Sequence, residues 1–172
     1  MSCRSCRSCR SIDIYLSLGT SNIELLRVAY RYRSTTRHRM SSCVFCDISD
    51  SDRVLRRNEH ALLFGDRYPV TQGHSLVIPR RCVADYFSLS ETELLSINRL
   101  LFQRREELLE EDPSISGFNV GVNCGGLAGQ TVFHCHVHLI PRRLGDVEDP
   151  VGGVRNTIPG KGNYRSGNWS AE

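Results

Sequence analysis

No apolar run in this chain approaches the roughly 18 to 20 residues that a membrane-spanning helix needs, so no role inside a membrane is expected. A secretory signal with a long apolar segment is also missing. Beyond residue 39 the cysteines are Cys43, Cys46, Cys82, Cys124 and Cys135, an odd set. A disulfide scaffold is therefore not expected, and free thiols fit a reducing, cytoplasmic setting. With 172 residues the chain is too short for two comfortable domains and long enough for one with a real core. Hydrophobic residues at 40% and charged residues at 24% are ordinary for a globular protein.

Acidic residues are scarce in one region only. Residues 1–39 hold eight arginines against Asp13 and Glu24, a net of +6, whereas the other 14 basic and 17 acidic side chains give −3. The overall charge of +3 thus belongs to a leader, and nucleic acid is not an expected partner. That leader opens with a three-residue repeat, "MSCRSCRSCRS", and has no sustained apolar period. Three explanations stand side by side: an organellar transit peptide, an over-extended start with Met40 as initiator, or a cysteine-rich metal tract. In each case residues 1–39 lie outside the fold, and 40–172 form the domain, with its core at about 42–145 and a loop-like tail.

Along the domain, "HALLFGD" (60–66) and "HSLVIPR" (74–80) are short apolar runs ended by turn residues, which predicts strands. Ser90 and Glu93 form a capping box ahead of Leu94, Ile97, Leu101 and Leu108 at helical spacing. Asp112-Pro113 stops the pattern, so one long helix of about 20 residues is predicted. "GFNVGVNC" (117–124) alternates with Phe118, Val120, Val122 and Cys124 on one face, then comes a glycine-rich loop and the strand "TVFHCHVHLI". Strands close in sequence with a single long helix predict an α+β fold with a mainly antiparallel sheet.

The segment "GQTVFHCHVHLIPRR" places His134, His136 and His138 two residues apart. On a strand, alternate side chains share a face at about 6.7 Å spacing, leaving Phe133, Cys135, Val137 and Leu139 for the core. Surface histidines on a half-buried strand account for one or two of these but poorly for three. A metal centre built from all three is awkward, because rings spaced that way on a flat strand do not converge at about 2.1 Å from one ion. Nucleophilic catalysis by the central imidazole fits better. The upstream loop, with Gln130 and Thr131, offers backbone N–H groups where an anionic phosphate would sit.

This motif resembles the His-φ-His-φ-His-φ-φ signature of the histidine triad (HIT) superfamily, φ being apolar, with Cys135 as the first φ. The resemblance runs from about Ser42 to Tyr164 through "CVFC", "DRYPVTQGHSLVIPRR" and "FNVGVNCGGLAGQTV". It points to the branch that includes the fragile histidine triad protein and microbial dinucleoside polyphosphate hydrolases. It implies a HIT-like fold, with a short N-terminal helix beside the long one, and a homodimer.

The resemblance also implies roles. His136 attacks the α-phosphate of an adenine nucleotide, giving a nucleotidyl-histidine that water resolves; His138 protonates the leaving group. Gln130, Thr131 and Asn123 contact the phosphates, and Asp66 accepts from the ribose hydroxyls. Phe45 and Ile48 sandwich the purine, or else are core residues. Cysteine-bearing relatives hold a structural Zn2+, which implies Cys43, Cys46, His74 and His134 as ligands here, with no organic cofactor. The tail, with Asn156, Gly160 and Gly162, departs from the usual pattern. The choice among polyphosphate hydrolase, nucleoside phosphoramidase, nucleotidylyltransferase and slow nucleotide-binding signalling module therefore stays open.

Overall fold

A computed structural model describes residues 43–48 and 51–165; the leader, and part of the expected N-terminal helix, fall outside them. Strands β1 (Val54–Arg57), β2 (Ala61–Gly65) and β3 (Ser75–Pro79) are followed by helix α1 (Glu91–Glu111), then β4 (Ile115–Val122) and β5 (Val137–Arg143). The five strands form one antiparallel sheet in the order β1-β2-β3-β5-β4. Residues 43–48 make a hydrogen-bonded turn in which Asp47 N–H donates to Cys43 O.

β2 and β3 are buried along their whole inner length because both faces of the sheet are covered, which is why they read as continuous apolar runs. Ala61, Leu63 and Val77 point to one side and pack with Ile97, Leu100, Leu101 and Leu108 of α1. Leu62, Phe64, Leu76 and Ile78 point to the other and pack with Ile48, Phe45 and Val54. The period-2 alternation of a strand thus separates two cores.

α1 begins as its sequence dictates. The Ser90 hydroxyl accepts from Glu93 N–H, and the Glu93 carboxylate accepts from Ser90 N–H. Such a cap contributes about 1 kcal/mol. The hydrogen bonds from Arg81 lead among the causes that hold the Glu93 carboxyl down at about 2, fastening the start of the helix to the end of β3. Gly73 sits at φ +86°, where a Cβ would lie 2.6 Å from Leu108 Cδ2, so only glycine permits this turn to close on the helix.

Three details differ from the sequence expectation. β1 was not foreseen, since "VLRR" carries little alternation; it is an edge strand with one half-buried and three exposed residues. β5 begins only at Val137, so His134 and His136 lie in the irregular segment that leads into it, which bends over 132–134. Phe133 is 37% exposed and does not enter the core that Cys135, Val137 and Leu139 join.

Candidate active site and thiol-imidazole cluster

Strand register assembles the site. Phe64 pairs with Leu76, and Leu76 pairs with His138. Alternation therefore puts Asp66, His74 and His138 on the sheet face opposite α1, with Phe45. His134 and His136 reach the same side: the Phe45 ring packs edge-on at 6.0 Å from His134 and 5.2 Å from His136. His136 and His138 are 5.2 Å apart by centroid.

The three imidazoles are held differently. His136 is 7% exposed, and its Nδ1 lies 2.8 Å from His134 O. A carbonyl only accepts, so Nδ1 carries the proton and Nε2 keeps its lone pair. That is the tautomer a nucleophile needs. His138 is half-buried, with Nδ1 2.9 Å from His74 Nε2. Burial, then the neighbouring His136 and His74, push its pKa down to about 4, so it is neutral at pH 7. Burial lowers His74 as well, against the opposing pull of Asp66.

His134 belongs to another group. It is 1% exposed; its Nε2 donates to Pro79 O at 2.8 Å, and its Nδ1 faces Cys43 Sγ at 3.4 Å and Cys46 Sγ at 3.7 Å. Cys82 completes the set: one ligand atom from each of Cys43, Cys46, Cys82 and His134 lies within 4.8 Å of all the others. A tetrahedral zinc with bonds near 2.3 Å to sulfur and 2.1 Å to nitrogen spaces such donors about 3.6–3.8 Å apart, so the cluster fits that ion. Burial pushes the Cys43 thiol up, but the hydrogen bond with His134, and those with the Cys46 and Phe45 backbone, outweigh it and bring it to about 6. A thiolate is thus available.

The expected ligand set is corrected here at one position. His74 is not in the cluster; it groups with Asp66 and His138, and Cys82 takes its place. The physical reason is direction. His74 precedes β3 and lies beside His138, whereas Cys82 follows the far end of β3, where Pro79 O meets His134. Cys82 had one sequence signal, a thiol three residues after the strand-ending proline. Asp66, His74 and His138 are themselves mutually close, but His74 meets them through different ring nitrogens: Nδ1 is 3.5 Å from Asp66 Oδ2 and Nε2 faces His138. The His74–His138 contact is a hydrogen bond, and the Asp66–His74 contact a longer polar one.

Gln130 is buried, and its amide is fully used by the backbone: Oε1 accepts from Gly125 N–H, while Nε2 donates to Ala84 O and Val132 O. It braces the glycine-rich loop, whose Gly125 (φ +87°, ψ 157°) adopts a conformation open to glycine alone. Asn123 is half-buried, Thr131 exposed, and Ile48 buried in the second core at 5% exposure, as its packing alternative has it. Arg142 and Arg143 are paired with Asp146 and Asp112. Two cavities lie away from the triad face. One of about 260 Å³ runs between α1 and β4; the other, of about 530 Å³, sits beside the β4–β5 end.

An antiparallel sheet with one long helix, carrying alternating histidines on the face opposite that helix, defines a histidine triad domain. Residues 49–145 match the HIT domain family model, and the chain belongs to that family of nucleotide-binding proteins and hydrolases. It is 41% identical over 105 residues to an uncharacterized HIT-like protein of Mycoplasma genitalium, covering 59% of this chain and 74% of that one. It is 35% identical to the asymmetrical bis(5'-nucleosyl)-tetraphosphatase of Schizosaccharomyces pombe over 97 residues, covering 56% of this chain and 53% of the relative. A crystal structure of a Zn-bound histidine triad family protein from Mycobacterium smegmatis superposes with a TM-score of 0.56 at 34% identity, over 61% of this chain and 78% of that one.

Proposed function

We propose that the protein hydrolyses dinucleoside polyphosphates of the diadenosine type at the α-phosphate, through a nucleotide covalently held on His136. The observation that carries this is the His136 Nδ1 to His134 O hydrogen bond, which leaves a neutral Nε2 free to attack. Nε2 forms a bond to phosphorus as the bridging oxygen leaves with its electron pair, and His138 Nε2–H protonates that oxygen. Water then attacks phosphorus, His138 takes the water proton, and the phosphorus–nitrogen electrons return to His136. Asp66, at the head of the His74 turn on the same face, is the ribose contact, and Asn123 with the Gly125–Gly129 loop is the phosphate contact. Phe45 is the purine contact, a role its packing on His136 supports. The tetraphosphatase relative supports this substrate class.

Cys43, Cys46, Cys82 and His134 would hold a zinc ion, whose chemistry is structural: it ties the N-terminal turn to the catalytic segment and fixes the His134 carbonyl that orients His136. The Zn-bound relative supports this assignment. A second copy of the chain is the fitting partner for β4, an edge strand with Val120 49% exposed, beside the groove lined by Tyr86, Leu94, Ile97, Leu101 and Val122. The thiols suit a reducing compartment.

The test is a substrate panel of diadenosine tri- and tetraphosphate against an adenosine phosphoramidate, with acid-quenched single turnovers to trap the nucleotidyl-histidine. Preferred cleavage of the polyphosphates, with label on His136, is expected. Faster cleavage of the phosphoramidate reassigns the leaving group, and binding without label makes the protein a nucleotide-binding module.

A further inference from the structure

His74 Nδ1 has two suitors. Val70 N–H hydrogen-bonds to it at 3.3 Å, and Asp66 Oδ2, which only accepts, lies 3.5 Å away as a longer polar contact. On the other side of the ring, Nε2 faces His138 Nδ1 at 2.9 Å. A neutral imidazole carries one proton, so the chain Asp66–His74–His138 has two arrangements. In the first, Nδ1 of His74 accepts from Val70, Nε2–H donates to His138 Nδ1, and the His138 proton resides on Nε2, where it can be given away. In the second, His74 Nδ1–H donates to Asp66, Nε2 accepts from His138 Nδ1–H, and His138 Nε2 is bare. Only the first supplies a proton donor.

We propose that the ribose of the bound nucleotide selects the first arrangement by occupying the Asp66 carboxylate, so that His138 is armed as an acid only when a ribonucleoside is seated. This rests on the hydrolase assignment above and deepens it. One oxygen of Asp66 is already taken, because Oδ1 accepts from Tyr68 N–H at 2.8 Å. Oδ2 is the oxygen that both His74 and a ribose hydroxyl would use. A hydroxyl donating to Oδ2 competes with His74 for it and weakens it as an acceptor, and Val70 N–H then holds Nδ1 as an acceptor. His74 is 4% exposed, so water does not substitute for either partner. Burial keeps both imidazoles neutral, which is what makes the relay a matter of tautomers. His74 and Asp66 are positioning residues here, and His138 alone meets the leaving group. A ligand shifts such an equilibrium by its different affinity for the two states, and one hydrogen bond is the difference in play.

Two measurements test it. First, the single-turnover rate of nucleotidyl-His136 formation is compared for diadenosine tetraphosphate and its bis(2′,3′-dideoxy) analogue. In the wild type at saturation the dideoxy substrate should form the intermediate about tenfold more slowly, beyond any loss in binding. In Asp66→Asn, the Asn amide donates to His74 Nδ1 and locks the first arrangement, so the rate ratio should collapse toward one. A dideoxy effect confined to KM, or a ratio that survives in Asp66→Asn, overturns the proposal. Second, ring-nitrogen NMR of the protein labelled with 15N-histidine reads the tautomers without any turnover. Adenosine monophosphate should move His138 Nε2 from bare to protonated, and 2′,3′-dideoxyadenosine monophosphate should not. Equal shifts with both ligands sink the relay. Absence of turnover with every substrate, alongside the expected NMR difference, would instead count against the hydrolase assignment.

Discussion

His134 and His138 come from one motif, four residues apart, yet their surroundings share almost nothing. His134 is 1% exposed, capped by Pro79 O, and turns its other nitrogen to three thiols. His138 is half-buried and turns its nitrogen to another imidazole, backed by a carboxylate. Soft sulfur partners suit a structural metal, whereas a chain of nitrogen and oxygen partners suits proton transfer. Between them, His136 touches both groups, through the His134 carbonyl and through the ring of His138. Alternation along the segment therefore brings the three rings to one side, and the partners brought by β3 and the N-terminal turn set what each one does.

The sharpest way to break this division is at its centre. His136→Ala should lower the single-turnover rate by on the order of 10³-fold or more, with nucleotide affinity kept within a few-fold. A variant that keeps a near-normal rate would move the nucleophile to another ring. The metal side is separated next by Cys82→Ala and His74→Ala, measured by metal content per chain and thermal unfolding. Cys82→Ala should lose bound zinc and about 2–3 kcal/mol of stability, the linkage energy of a ligand held well above its dissociation constant. His74→Ala should keep its zinc and lose rate. Retention of zinc by Cys82→Ala with loss in His74→Ala would restore the ligand set that family resemblance implies.

Much of the scaffold was legible before the structure. The Ser90–Glu93 box and Asp112-Pro113 bracketed α1 to within a residue, because capping is a local hydrogen-bonding problem solved within four positions. The runs around Leu63 and Val77 were recognisable as strands, being apolar on both faces. β1 was not, since "VLRR" gains its structure from pairing with Phe64, Leu63 and Leu62, which no local pattern encodes. The same limit applies at the site. The triad announced itself by spacing, but the choice between His74 and Cys82 as fourth partner of the thiol group depends on where the two ends of β3 lie relative to the triad. Gln130 likewise shows its role only in the fold, since a buried amide flanked by three backbone groups braces a loop.

The two regions also separate by pH. His138 at about 4, and His74 below its ordinary value, bind fewer protons folded than unfolded, where histidine titrates near 6.5. The unfolded state therefore gains protons first, and stability falls as pH drops from about 6.5 toward 4. Carboxylates such as Glu93, lowered to about 2, add their loss only below about 4.5, so the upper part of that window reports the imidazoles together with the Cys43 thiol near 6. His138→Asn should flatten the slope of the unfolding midpoint between pH 6.5 and 4.5. An unchanged slope would mean that the fold does not lower His138 below the ordinary histidine value.

The smallest effect should come from the layer that serves both regions equally. α1 packs against Leu63 and Val77 on the face opposite the histidines, so a change at its cap reaches neither cluster by contact. Ser90→Ala removes the acceptor for Glu93 N–H and should cost about 1 kcal/mol in denaturant unfolding. Zinc content and the single-turnover rate should both stay at wild-type levels. Glu93 also holds Arg81, next in sequence to Cys82. A drop in zinc content in Ser90→Ala would show that strain at the helix start passes through Arg81 into the thiol cluster, and would make the helix part of the metal site's support.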